Sequence, residues 1–250
     1  GGLYADSDKL TGDKTAKNNL VVANANPTID PFTNQLTAIN INSSSSQGPT
    51  DDIRIKPDIA GDGTNLLSPV SGDGYAIYSG TSMAAPNVTG SLVLLQQYYE
   101  QLNSEYMNSA TLKGLVCHTA QDDSNITGPD HKFGWGLLNT KEAAELIQDS
   151  NIDAAVIEER SLNNGQSYTS TFSVQSGGKL KATICWTDVP GVALSGSANL
   201  NNQSPRLVND LDIRLSKDGV TYFPWKLNYD SVGGFSNAKE DNSVDNIEII

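Results

Sequence analysis

Two rhythms of apolar residues divide the chain. Up to about residue 150, short apolar runs alternate with segments of helical spacing. "NNLVVANA" (18–25) and "LTAININ" (36–42) read as strands in a region rich in Asn, Gly and Ser, and "YAIYSG" (75–80) reads as a strand running into a turn. After that turn Val88, Leu92, Leu95 and Tyr99 recur with helical spacing. Val93 and Leu94 widen the stripe, which predicts a helix buried on more than one side. A second helix is predicted from Leu112, Leu115, Val116 and Thr119, with Asn108 or Ser109 as its cap. A third begins at Asn139, where Glu142 three positions on resembles a capping box, and continues through Ala143, Ala144, Leu146 and Ile147. Strands interleaved with helices predict an α/β layer structure.

Beyond residue 150 the helical spacing disappears. "YTSTFSV" (168–174), "KLKATICW" (179–186) and "DLDIRL" (210–215) alternate between faces: Leu180, Ala182, Ile184 and Trp186 fall on one side, Lys181, Thr183 and Cys185 on the other. The turn clusters "NNGQS", "SGG" and "KDG" separate such runs. This half reads as an all-β sandwich or jelly roll. The expected organisation is therefore an α/β domain over residues 1–150 and a β domain over 151–250.

Composition narrows the partners. A net charge of −13 and a pI near 4.4 oppose any ligand that is held by neutralising its phosphates, so nucleic acid is excluded. The acidic residues are scattered and read as a solvated surface, with a minority available as calcium ligands. No apolar run approaches eighteen residues, so no membrane span is expected. The opening "GGLYADSDKL" shows no basic segment followed by an apolar stretch, and so no signal peptide is visible. Cys117 and Cys185 lie far apart within apolar patterns and are expected to be buried free thiols.

The chemistry centres on "YSGTSMAAPNVTG" (78–90). A serine hydroxyl is a weak nucleophile at neutral pH and needs a base, usually a histidine oriented by a carboxylate. Placed where a helix begins, Ser82 would have the first free N–H groups of that helix beside it, facing positive potential. Gly80 allows the sharp turn, and Pro86 falls within the first helical turn, where proline is tolerated. The plain alternative is that Ser82 only caps the helix. The two histidines, His118 and His131, both follow the serine.

"GTSMAAPNVTG" resembles the serine motif of the subtilisin-like proteases, Gly-Thr-Ser-Met-Ala-x-Pro-His-Val-x-Gly, with Asn87 in place of the histidine. "SSSSQGPTDDIRIKPDIAGDG" (43–63) resembles the family segment that runs from Ser-Ser-x-Gly-Pro-Thr through Lys-Pro-Asp-Ile, with Gly61 and Asp62 where the family has Ala-Pro. "TAKNNLVVANA" is similar to the strand after the oxyanion-asparagine loop, and "LKGLVCHTAQD" and "HKFGWGLLNTKEA" resemble the two closing helices with a Gly-aromatic-Gly turn between them. The resemblance implies a partial subtilisin-like parallel sheet and a serine endopeptidase that acts on protein or peptide through an acyl-enzyme on Ser82, without a catalytic cofactor. Family order is Asp, His, Ser, and no histidine precedes Ser82. The triad His and Asp and the oxyanion Asn are thus expected upstream of Gly1, and these 250 residues alone are expected to be inactive. Secretion is expected from the resemblance only. Two other readings stay open: a non-catalytic binding or structural remnant, and an α/β-hydrolase-type esterase in which Ser82 works with His131 and with Asp122 or Asp123.

"CWTDVPG" and "RLVNDLDIRL" resemble the β-barrel domain that trails the catalytic domain in large alkaline subtilases, and "DNIEII" a segment shortly before its last strands. Asp210 and Asp212, two apart on a predicted strand, project from one face. With Asp188 they would supply hard oxygen ligands for a structural calcium. The alternative is an exposed acidic edge that deters strand pairing.

Overall fold

The computed structural model describes residues 7–33, 35–122, 127–193, 201–232 and 234–250. The apolar run after Asn19 forms β1 (Val22–Ile29), which turns at Asp30 into antiparallel β2 (Leu36–Ile41). Asp30 Oδ1 closes that turn by accepting Phe32 N at 2.7 Å and Thr33 N at 3.0 Å. On its other side β1 runs parallel to β3 (Ile59–Asp62), from Val22↔Ile59 to Ala25↔Asp62. The sheet order is β2-β1-β3. Among the described residues it is mixed, with one parallel pair, because β2 returns through a hairpin where an all-parallel sheet needs a crossover.

A second hairpin, β4 (Leu66–Val70) and β5 (Gly74–Tyr78), feeds the chain into α1 (Thr81–Asn103). Helix α1 lies on β1 and β3 and against α3 (Thr140–Ser150), with α2 (Ser109–His118) packed nearby. Ile59, Val88, Leu95, Tyr99, Leu115, Val116 and Ile147 form the core between these layers. Val93 and Leu94 depart from the expectation: they are 62% and 61% exposed, since the described elements cover α1 on one side. Asn139 caps α3 by accepting Glu142 N at 3.1 Å, as its spacing predicts. At α2 the cap residue is Asn108, but its side chain accepts no helix N–H. Instead Glu159 reaches over and accepts Asn108 N at 2.7 Å and Thr111 Oγ1 at 2.5 Å, a favourable place for a carboxylate.

Asp58 staples these layers together. Its fully buried carboxylate meets Lys56 Nζ at 2.5 Å and Lys113 Nζ at 2.8 Å, and accepts Val21 N at 2.7 Å. Burial pushes the Asp58 carboxyl up, and the two ammonium groups more than reverse this, leaving it below the ordinary carboxylate range. Lys56 is pushed down to about 8 by burial, only partly offset by Asp58. Gly134, in the Gly-Trp-Gly turn, has φ +66°, and a Cβ there would stand 2.2 Å from Pro57 O. The turn approaches the Lys-Pro-Asp segment so closely that only glycine fits.

The second half differs most from expectation. Its strands pair in twos: β6 (Thr183–Cys185) with β11 (Ile247–Ile249), β7 (Leu215–Lys217) with β8 (Val220–Tyr222), and β9 (Trp225–Asp230) with β10 (Gly234–Lys239). No closed barrel forms among the described residues, and residues 168–174 form no strand. Their two-residue alternation is real, but no described segment offers them a ladder, and a lone extended segment gains no pairing energy. Nor, among the described residues, does the second half keep a core to itself. Leu227, Ile247 and Ile249 pack with Ile53, Ile55, Cys117 and Trp135 of the first half in one cluster. Both cysteines are free, Cys117 buried and Cys185 half-buried.

Candidate active site

Ser82 sits in the first turn of α1 and is exposed. Gly80, with φ 156° and ψ 167°, ends the extended approach from β5 and starts the helix. Its carbonyl accepts Met83 N at 3.0 Å and Ala84 N at 3.1 Å. The Thr81 and Ser82 N–H groups lie ahead of these first bonds, at the positive end of a 23-residue helix. An exposed hydroxyl next to such donors is suited to attack a carbonyl and to bind the oxyanion that results.

The turn rests on a buried polar layer. Gly80 N donates to Gly63 O at 2.8 Å, and Gly63 N to Ala25 O at 3.3 Å. Below them Asn24, fully buried, is held by Ser44, Ser45 and Thr64. Sequence reasoning passed over Asn24; the signal was an amide in a strand position whose neighbours, Val22 and Ala23, are apolar. It also passed over Lys113, a buried cation on the apolar face of α2.

Neither histidine is hydrogen-bonded to Ser82. His118 Nδ1 lies 2.8 Å from Thr183 Oγ1. The His131 ring packs against Phe235 of β10, tilted by 38° with ring centroids 4.6 Å apart. Burial, reinforced by Lys181 for His118 and by Lys132 for His131, pushes each down to about 4, so both are neutral at pH 7. Asp122 Oδ2 accepts Gly128 N at 2.7 Å, and Asp123 lies outside the described residues.

The three aspartates proposed for calcium are not gathered into one ligand set, and no group of three or more His, Cys, Asp or Glu side chains among the described residues is placed to hold a metal. Asp188 is buried and paired with Lys17, and it accepts Val208 N at 2.9 Å, Asn209 N at 3.0 Å and Asn209 Nδ2 at 2.9 Å. Lys17 Nζ also donates to Val189 O at 2.8 Å and Arg206 O at 2.7 Å. Burial pushes the Asp188 carboxyl up, but the bonds from Lys17 and from residues 208 and 209 outweigh it and bring it to about 2. Asp212 pairs with Arg214 at 2.9 Å, and burial together with Asp212 pushes Asp210 up. Both carboxylates act on Glu248, a side chain that sequence reasoning did not single out. Its Oε2 accepts Ile213 N at 2.8 Å, its Oε1 is buried without a hydrogen-bond partner, and burial pushes its carboxyl up to about 8.

Comparison with known proteins decides the family. The peptidase S8 model, described as the subtilase family, matches residues 6–136. The chain belongs to the subtilase family. Among relatives of this subtilase, a C5a peptidase of Streptococcus pyogenes serotype M3 (strain ATCC BAA-595 / MGAS315) is 41% identical over 151 residues, which takes in 58% of this chain and 12% of the relative. The serine protease/ABC transporter B family protein tagD of Dictyostelium discoideum is 28% identical over 284 residues, 84% of this chain and 15% of the relative. The structure of the Clostridium perfringens CspB protease aligns at a TM-score of 0.45 with 26% identity, over 57% of this chain and 30% of that one. This subtilase chain spans from 6% to 15% of the length of the curated relatives it matches. No helix among the described residues is long and apolar enough to cross a membrane.

Proposed function

We propose that this chain carries the nucleophile of a serine endopeptidase, Ser82, which attacks the scissile carbonyl of a protein or peptide to form an acyl-enzyme. The observation that supports this is the exposed Ser82 at the start of α1, with backbone N–H groups free beside it, in a chain of the subtilase family. The Ser82 N–H shares the charge that develops on the carbonyl oxygen, and the sharp turn at Gly80 leaves room for substrate. The proton of the hydroxyl goes to a histidine oriented by an aspartate, both contributed by polypeptide preceding residue 1, as is the oxyanion asparagine. His118 and His131 take no part: each is turned to a partner in the second half of the chain. The complete protein is secreted.

Fluorophosphonate labelling of the complete protein tests this. Ser82 takes the label, and Ser82→Ala prevents it while changing stability by less than about 0.5 kcal/mol, as for an exposed side chain. A complete triad with no labelling would leave a non-catalytic remnant as the better reading. The 250 residues alone hydrolyse no casein, since without the histidine the general-base step is lost.

A further inference from the structure

The nucleophile turn is supported by more than the helix it opens. One side chain and two pieces of backbone converge on Gly63: a Cβ there would stand 2.6 Å from Asn24 Oδ1, 2.6 Å from Gly80 O and 2.7 Å from Ala84 N. The carboxamide of Asn24 is therefore packed directly under the segment that leads into Ser82. That carboxamide is fully buried and lies on the α1 side of β1, whereas its neighbours Ala23 and Ala25 face the opposite side with Ala60 and Phe133. Its Oδ1 accepts Thr64 Oγ1 at 3.3 Å, and its Nδ2 donates to Ser44 Oγ at 3.2 Å. Asn24 N donates to Ser45 Oγ at 3.0 Å, and Asn24 O accepts Asn42 N at 2.9 Å. Thr64 is itself tied in, sharing its one hydroxyl hydrogen between Asn24 Oδ1 and Ala25 O, the latter at 3.1 Å, and accepting Asn42 Nδ2 at 3.0 Å.

An apolar residue at this position would pack against Gly63 in several nearly equivalent ways. A buried amide does not have that freedom, because any shift of the 63–64 backbone leaves a donor or acceptor without a partner in a dry site. We propose that Asn24 is a positioning residue for Ser82. Its hydrogen bonds to Thr64 and Ser44 hold the Gly63 carbonyl where Gly80 N meets it, and so fix the direction of the Ser82 hydroxyl and N–H. This role rests on Ser82 being the nucleophile. It predicts an effect on the bond-making step rather than on substrate affinity, since Asn24 is buried and reaches no substrate.

The test uses the complete protein with Asn24→Ala, Thr64→Val and Thr64→Ser, followed by steady-state peptide hydrolysis and by the rate of fluorophosphonate labelling. Asn24→Ala and Thr64→Val lower kcat and the labelling rate by about tenfold to a hundredfold, as misalignment of a reacting group does. KM stays within about twofold, and Thr64→Ser, which keeps the hydroxyl, restores the rate. Thr64→Val is the safeguard should Asn24→Ala fail to fold. Wild-type kcat in a folded Asn24→Ala or Thr64→Val variant overturns the positioning role, as does a Thr64→Ser variant no better than Thr64→Val. A wild-type protein with its triad intact that takes no label overturns the nucleophile assignment itself, and the positioning role with it.

Discussion

Replacing Asp188 by asparagine removes the negative charge, and one of the two acceptor oxygens, at the centre of a buried clasp between the two halves of the chain. Asp188 binds Lys17 and three N–H groups from residues 208 and 209, while Lys17 spans to Val189 O and Arg206 O. The substitution leaves the Lys17 ammonium without a counter-charge in a dry site, which costs about 3–5 kcal/mol for broken buried pairs. The depressed pKa of Asp188 is of compatible size. The Asp188 carboxyl falls from 3.8 to about 2 on folding, which corresponds to roughly 2 kcal/mol of stability. A depressed pKa means that this share is fully present above pH 4 and is lost as the pH falls towards 2. Urea unfolding of wild type, Asp188→Asn, Lys17→Met and the double variant at pH 7 measures it. The double variant is expected to cost clearly less than the two singles summed, because neither partner is then left buried alone. The losses are the same in calcium and in EGTA. A single-variant loss below about 1 kcal/mol refutes the clasp, and a loss that vanishes in EGTA assigns Asp188 to a cation instead.

Three further outcomes follow from the same structure. Glu248 has its pKa raised to about 8, so the neutral form fits the fold: its own share of the stability is complete below pH 4.5 and is lost as the pH rises from there to 8, and Glu248→Gln removes this decline in thermal melts. Leu227→Ala, in the core shared by both halves, costs about 2–5 kcal/mol by urea denaturation, and a loss below about 1 kcal/mol would show the hairpin β9–β10 to be loosely docked. Gly134→Ala, at φ +66° and against Pro57 O, yields no soluble folded chain, and wild-type stability would refute the close approach.

What was legible in the sequence was local. Helical spacing located α1, α2 and α3, the Asn139–Glu142 spacing located a working cap, and the Gly-Thr-Ser stretch located the exposed serine at a helix start. Contacts between distant segments were not legible. Alternation at residues 168–174 gives a face but not a partner, so it could not tell a paired strand from an extended segment. Asp188 carries the same formal charge whether it holds a cation or a lysine, and only the fold brings Lys17 to it across 171 positions. Asn24 reads as a polar interruption until Ser44, Ser45 and Thr64 are seen around it.

The stretch from Ser161 to Gly178 is exposed throughout and pairs with no strand, whereas the segments on both sides of it are anchored: Leu227, Ile247 and Ile249 in a common core, Asp188 on Lys17. A single backbone break within that stretch would therefore make two polypeptides but release neither. Clipped and intact molecules would run as one species on a sizing column and separate only under denaturing conditions, so that trimming of this stretch is invisible to any assay that leaves the fold in place.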